Sequence, residues 1–310
     1  MTKMMKSLLV ATTALSLGAC VKQDDPPAAI GKAIPTADQV QIKLPTGQSK
    51  AVGDLASYYV VTRDVTRTFN GGSGWVLVLI HTIVQYPVTS INPDVYTWGP
   101  WKGSALDPAE YKLDVTANAD GTYDYSLQGR SKSDPNGPFL AVISGHADPT
   151  PGELQGNGEF LIDFDASKQV NPVDNGDAHG QVDVHYDLAA RHLDLHIMST
   201  DASGAPVAAD YAYDEDATGG GNMTFDVQAN VGGTAALEDV TLRSRWLNTG
   251  EGRGDFRIAG GDLGSTQAIG SQCWSSLFLE SYYTDNANFL PTEGDPASCA
   301  YATADLPPAH

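Results

Sequence analysis

Aspartate and histidine alternate with apolar residues between Gly180 and Met198, and these two side-chain types together can hold a metal ion. The period of two is typical of a β-hairpin with one buried and one solvated face. If Leu188 pairs with Arg191, three aspartates face three histidines across the hairpin, as Asp187–His192, His185–Asp194 and Asp183–His196. The candidate ligands for zinc or copper are therefore Asp183, His185, His192, Asp194 and His196.

The same residues have a second interpretation as charge-matched pairs on a solvated sheet face. Opposite charges on neighbouring strands contribute about 0.2–1 kcal/mol per pair. Pairs that are stacked along a strand do not converge on one point, whereas metal ligands must converge. We therefore favour the structural interpretation and expect no bound metal or cofactor.

Four of the eight arginines lie within fifteen residues, at Arg243, Arg245, Arg253 and Arg257. A three-residue hairpin loop at Gly250–Gly252 would place Arg245 opposite Arg257 and Trp246 opposite Phe256. Like charges in opposed positions destabilise a sheet unless an anion or an acid lies between them. The four arginines are thus a candidate anion or headgroup site. The alternative, which we favour, is a strip of salt bridges to acids on adjacent strands.

The rest of the chain offers little for catalysis. It contains no Gly-x-Ser-x-Gly sequence, no His-Glu-x-x-His sequence and no phosphate-binding glycine loop. Ser144, Gly145 and His146 follow one another, but no acid stands at an identifiable spacing from them. We expect a protein without enzymatic activity, and a metal-dependent hydrolase is the remote alternative.

Residues 95–260 are predicted to be mainly β, as an antiparallel meander of about eleven strands. Short connections rich in Gly, Asp and Asn separate the segments and make consecutive strands antiparallel. So many strands predict a barrel, a half-barrel or a strongly curved sheet. The segments are 95–101, 109–117, 122–131, 138–147, 157–165, 179–188, 191–199, 205–214, 222–231, 237–247 and 252–260.

Residues 51–87 are predicted to form a helical hairpin that packs on this sheet. Two uninterrupted segments of twelve or more residues are long for strands. Their many valines and isoleucines favour the alternative of a strand pair. With a C-terminal segment over 261–305, these parts make a single globular domain at 51–305.

The N-terminus has the pattern of a secretory signal. Lys3 and Lys6 precede an apolar run, which ends in Leu17-Gly18-Ala19-Cys20. These four residues resemble the lipobox of bacterial lipoproteins. The resemblance implies a signal peptide at 1–19 and acyl chains on Cys20 that anchor the protein to a membrane. The alternative is an ordinary secretory signal with an incidental cysteine.

Val21 follows Cys20, where an aspartate would signal inner-membrane retention in enterobacterial lipoproteins. The resemblance therefore favours the outer membrane of a bacterial cell envelope. Residues 20–50 contain Asp24-Asp25-Pro26-Pro27 and are predicted to be an acylated, disordered tether.

Composition limits the partners and predicts one covalent crosslink. The chain has 18 basic and 38 acidic residues, so nucleic acid is excluded as a partner. In an oxidising envelope, Cys273 and Cys299 are expected to form a disulfide. Closing a loop of that length stabilises a fold by about 3.5 kcal/mol on the chain-entropy model.

Trp98-Gly99-Pro100-Trp101 contains a Gly-x-Trp sequence beside the first predicted strand. It resembles the motif of lipocalins, and the inferred architecture is similar to that of bacterial lipoprotein carriers. Either resemblance implies an apolar ligand in a β half-barrel. Our leading hypothesis is a lipid-anchored lipoprotein with a surface or structural role, and a lipid-binding module is the alternative.

Overall fold

The computed structural model describes residues 28–45, 55–72, 74–101, 103, 107–152, 155–173, 179–200, 204–231 and 236–307. The predicted signal peptide, Cys20 and the first part of the predicted tether lie outside the described residues. In the described part of the chain the fold is mainly antiparallel β, as the sequence predicts.

Fifteen strands follow one another in sequence order, and β1 and β15 are the two ends of that order. Among the described strands the sheet is therefore open, so the closed-barrel version of the prediction is wrong. The strands are β1 Ser90–Asn92, β2 Val95–Trp101, β3 Ala109–Ala117, β4 Tyr123–Ser131, β5 Leu140–Asp148, β6 Asn157–Asp163, β7 Gln181–Asp187, β8 His192–Thr200, β9 Pro206–Glu215, β10 Gly221–Ala229, β11 Glu238–Trp246, β12 Gly252–Gly260, β13 Ala268–Trp274, β14 Glu280–Asp285 and β15 Glu293–Gly294.

The strand number exceeds the predicted eleven because β1, β13, β14 and β15 also pair. Two of these are only two or three residues long. In β13, six of the seven residues are buried, so neither face is solvated and the strand shows no alternation of apolar and polar residues.

Four α-helices are described: α1 Ala28–Ala33, α2 Ser57–Gly72, α3 Gly74–Val84 and α4 Phe164–Val170. The prediction of two helices rather than strands within 51–87 is confirmed. The prediction of a disordered tether up to residue 50 is wrong for 28–45. There α1 and the residues after it bury Ile30, Ile34 and Ile42.

Helix α4 replaces the end of a predicted strand. The segment 157–165 stops being a strand at Asp163, whose Oδ1 accepts a hydrogen bond from the Ala166 amide at 2.7 Å. This is the N-cap arrangement that starts a helix. Val170 then packs where Gly129 of β4 leaves room, because a Cβ at Gly129 would lie 2.5 Å from its Cγ1.

The chain divides into two compact units. The first comprises residues 1–40, 72–189 and 198–200 and contains β1–β7. Its core is built from alternate strand residues that are almost fully buried, including Trp98, Leu113, Tyr125 and Phe160. The indole Nε1 of Trp98 donates to the Tyr86 carbonyl at 2.8 Å and holds the chain after α3 against β2.

The second unit comprises residues 41–71, 190–197 and 201–310, and within it aromatic side chains of α2 contact other rings. The Tyr59 ring stacks on Phe278 at 4.3 Å, and the Tyr58 ring meets Phe256 edge-on at 5.5 Å. Gln272 is 1% exposed, and its Oε1 accepts from the Tyr58 amide at 2.6 Å, which satisfies one free N–H of the first helical turn.

The turn between β11 and β12 differs from the predicted one. The Leu247 amide bonds the Glu251 carbonyl, and Gly250, at φ 106°, lies in the turn. Consequently Arg245 faces Arg253, and Trp246 faces Gly252. The predicted partners Arg257 and Phe256 are wrong, because Gly252 is a strand residue that makes room for the Trp274 ring.

Candidate functional site

One face of β3–β7 in the first unit carries a polar groove. Period-two alternation sends one set of side chains into the core and leaves the next set facing outward. The outward set surrounds a cavity of about 700 Å³. Its polar lining residues are Asp114, Thr116, Asp124, Ser126, Gln128, Ser144, His146, Glu159 and Asp183.

Acids and imidazoles alternate across four neighbouring strands at the groove. Asp124 of β4 is paired in register with His146 of β5, His146 with Glu159 of β6, and Glu159 with His185 of β7. His146 Nδ1 lies 2.7 Å from Asp124 Oδ1, and His185 Nδ1 lies 3.1 Å from Glu159 Oε2. We name these four residues the acid–imidazole row.

The row is half exposed, with 57% of the Asp124 side chain and 54% of the Glu159 side chain open to solvent. The hydrogen bond from His146, followed by one from Asn118, lowers the pKa of Asp124 below its ordinary value. The lowered pKa favours the ionised carboxylate, whose remaining lone pairs can accept hydrogen bonds from a ligand.

The groove has a single sign of charge. Four of the described lining residues are carboxylic acids, and none of them is lysine or arginine. Lys112 approaches from β3 and lies 2.6 Å from Asp114, so one carboxylate has its own counter-charge. In the described part of the chain, the ion-pair partners of Asp124, Glu159 and Asp183 are all imidazoles. At neutral pH the site attracts cations.

The hairpin histidines contact acids on their own strands and on further strands. His185 bonds Glu159 of β6 and, at 3.3 Å, Asp183 of its own strand. In the second unit, His192 bonds Asp214 and Asp194 at 2.6 and 2.8 Å, and His196 bonds Asp210. These histidines pair with β6 and β9 because each hairpin strand has a second neighbour that carries an acid.

Burial lowers the pKa of His192, but the hydrogen bonds to Asp214 and Asp194 outweigh it and raise the pKa above its ordinary value. A histidine with a raised pKa stabilises the fold at acidic pH, and this stabilisation is lost as pH rises through the raised pKa. Across the described residues, no group of three or more His, Cys, Asp or Glu side chains is arranged to hold a metal ion.

The four arginines lie together on β11 and β12 in the second unit, and we name them the arginine patch. Asp255 is fully buried at its centre, 2.7 Å from Arg253 and 3.2 Å from Arg245. Arg243 donates to Asn222 and Thr224 at 2.8 and 2.9 Å. The structure thus brings all four predicted arginines together. Their guanidinium groups contact hydrogen-bond acceptors of the protein itself.

The two predicted disulfide cysteines also meet. The Sγ atoms of Cys273 and Cys299 are 2.09 Å apart, with Cα atoms 5.4 Å apart. Cys273 lies on β13 directly opposite Arg253, so the crosslink is next to the arginine patch. Cys20, the predicted acylation site, lies outside the described residues.

Sequence reasoning missed the acid partner of His146. Asp124 stands 22 residues earlier, and an irregularity between Leu127 and Gln128 shifts the β4–β5 register. The spacing therefore cannot be counted back from the turn, although the Ser-Gly-His segment itself is visible in the sequence.

No family model, curated protein or solved structure matched the chain. Among the described helices, none is long and apolar enough to cross a bilayer.

Proposed function

We propose that this chain is a lipid-anchored, non-catalytic binding protein of a bacterial envelope, and that the groove of its first unit takes a cationic ligand. The lipobox-like Leu17–Cys20 supports the anchor. The acid–imidazole row carries the binding proposal, because it presents ionised oxygens in an open groove whose described lining has no basic side chain except imidazole.

The small free energy of a single exposed ion pair favours a ligand with several positive charges. One exposed ion pair contributes about 0.2–1 kcal/mol. Three or four such contacts amount to about 1–4 kcal/mol, which corresponds to affinities of roughly millimolar or weaker. A polyamine or a basic peptide segment can engage several carboxylates at once, whereas a monovalent amine cannot.

The envelope location complements this proposal. Stable anchoring takes two lipid signals, and each buried CH2 of an acyl chain adds about 0.8 kcal/mol. A protein confined to a membrane surface in this way can hold ligands at that surface even with modest affinity, because confinement raises the local concentration. The proposed outer-membrane placement follows from Val21 after the acylated cysteine.

The alternative of an apolar ligand remains a prediction. On the strand faces opposite the groove, the side chains of the strands themselves form the core. Leu113, Tyr125 and Phe160 are each at most 2% exposed. Native mass spectrometry after gentle detergent extraction tests it, since a carrier retains a reproducible apolar adduct.

Titration of the full chain with spermine at low salt tests whether the acidic groove binds a cationic ligand. We expect binding that weakens as salt increases, because exposed charges are screened. Replacing both Asp124→Asn and Glu159→Gln should reduce the affinity by about two- to thirtyfold, since each lost pair contributes about 0.2–1 kcal/mol. Calorimetry or amide chemical shifts report the affinity.

Glu293→Gln is the matched control, because it removes an exposed carboxylate on β15, outside the groove lining. This variant should bind spermine as the unaltered chain does. If the double variant, shown to be folded by circular dichroism, binds spermine equally well, the groove is not the site.

A further inference from the structure

We propose that the arginine patch of the second unit is a latent binding site for phosphate-type oxyanions, which the chain's own C-terminal segment closes. We name residues 299–307 the strap. The disulfide Cys273–Cys299 attaches the strap beside the patch. This site does not depend on the acidic groove, which belongs to the other unit.

The patch is a compact array of cations. In register, Arg245 faces Arg253, Arg243 faces Asp255, and Thr241 faces Arg257, so all four guanidinium groups extend from one face of two paired strands. Arg253 and Arg257 are 6% and 7% exposed. Long cationic side chains are seldom so buried unless acceptors surround them.

The strap supplies those acceptors. Its backbone carbonyls at Tyr301, Thr303 and Pro307 accept hydrogen bonds from Arg253, Arg245 and Arg257 respectively. The Asp305 carboxylate lies 3.5 Å from Arg243 and 3.7 Å from Arg245. In addition, the Tyr301 ring lies 4.7 Å from the guanidinium carbon of Arg245.

Two carboxylates contact the patch within the described part of the chain. Asp255 lies next to Arg245 and Arg253, and Asp305 lies next to Arg243 and Arg245. Asp255 is fully buried, whereas the Asp305 side chain is 54% exposed and is the one that can be displaced. The Nε of Arg245 is buried and has no hydrogen-bond partner among the described residues.

Phosphate-type oxyanions fit this donor set. Guanidinium forks match the spacing of phosphate oxygens and bond them in pairs. In the closed state, three carbonyl oxygens and one carboxylate of the strap take the positions that phosphate oxygens would take. The strap is thus an internal competitor, and it lowers the apparent affinity by the fraction of time it is seated.

In this proposal the disulfide sets the fraction of time for which the strap covers the arginine patch. A dithiol reductant exchanges with the protein disulfide, which gives two cysteine thiols and a cyclic disulfide of the reductant. The strap then loses its crosslink to β13 next to Arg253 and keeps its backbone connection at residue 298 and its contacts to the patch. Ala302–Asp305 are already exposed, so release requires little rearrangement of the strap itself.

The test is a titration of the full chain with inorganic pyrophosphate at low salt, with and without dithiothreitol. We expect the reduced protein to bind about tenfold more tightly than the oxidised protein, which corresponds to about 1.4 kcal/mol of strap competition. In the reduced protein, Arg243→Gln should remove most of this gain. Arg63→Gln, which deletes an arginine outside the patch, should retain it.

A second variant keeps the test decisive if reduction unfolds the second unit. Asp305→Asn weakens the strap while the disulfide is intact, and it should raise the pyrophosphate affinity of the oxidised protein several-fold. Equal affinities for the Asp305→Asn and unaltered oxidised chains would overturn the proposal. So would a reduced protein that is folded by tryptophan fluorescence and binds no more tightly.

Discussion

Asp255 is the residue on which the arginine patch depends. It is fully buried and accepts hydrogen bonds from Arg253, Arg245 and Ser271. It also accepts the Asp305 amide of the strap at 3.2 Å. A buried carboxylate with this many donors satisfies cations that would otherwise be buried without a counter-charge.

Asp255→Asn should therefore lower the free energy of unfolding by about 3–5 kcal/mol, because it leaves buried guanidinium groups unneutralised. Urea denaturation followed by tryptophan fluorescence measures the change. Asp305→Asn is the control at an exposed position of the same network and should cost about 0–1 kcal/mol. Similar losses for the two variants would contradict this assignment.

Single residues also show where sequence reasoning succeeds. The arginines of the patch, the hairpin histidines and the pair Cys273 and Cys299 all make contacts with other side chains. Their partners were not readable, because a partner on another strand is set by register. His185 bonds Glu159, and the irregularity between β4 and β5, where Val142 of β5 is left without a partner in register, shows how one extra residue moves such a pairing.

At the scale of elements, the strands follow local pattern and the short helices do not. Helix α4 has seven residues and rests on the N-cap Asp163 and on the space above Gly129. Helix α1 has six residues in a segment that looks like a tether. Such short helices have little intrinsic stability and exist because tertiary packing buries one side of them.

Gly129→Ala tests whether α4 packs on β4 at Gly129. The added Cβ would lie 2.5 Å from Val170 Cγ1 and 2.8 Å from Tyr111 Cε1. Overpacking of this kind costs about 1–3 kcal/mol. Thermal unfolding by circular dichroism should show a lower midpoint for the variant.

Gly31→Ala is the same substitution within α1, where the nearest atom to a new Cβ is Gln85 Nε2 at 3.5 Å. Here alanine should stabilise the protein by about 0.5–1 kcal/mol, since glycine is disfavoured inside a helix. A Gly129→Ala protein as stable as the unaltered chain would show that α4 is not seated on β4.

What covers a buried strand is a second feature of the elements that the sequence does not predict. Strand β12 has seven of its nine residues buried, because Tyr58 of α2 lies over Gly254 on one side and the strap bonds Arg253 on the other. A strand covered on both faces can carry arginine only where acceptors meet it, and the sequence does not show what covers it.

At the scale of the whole molecule, the chain divides into two units with different charge chemistry. The first presents the acidic groove, and the second buries the arginine patch. The proposed anchor attaches through the N-terminal side, before α1. The two proposed sites therefore take ligands of opposite charge, and each can be tested without the other.

The anchor is tested in a bacterium with an outer membrane that is fed a labelled fatty acid. Cys20→Ser should lose the acyl label and leave the membrane fraction, because the serine hydroxyl does not replace the thiol in acyl transfer. Cys299→Ser should retain the label, which controls for loss of a cysteine in general. Continued labelling of the Cys20→Ser protein would refute the anchor.

The sequence by itself determined the β-meander and the two longer helices, because period-two alternation and segment length are local properties of the chain. The prediction of a processed N-terminus also comes from the sequence alone, because a signal peptide is recognised as an extended segment of chain. Only the tertiary structure decided the β11–β12 register, the partners of the histidines and the cover over the arginine patch. Those features depend on which distant residues contact one another. Turns, register irregularities and glycines that lie far apart in the chain determine these contacts.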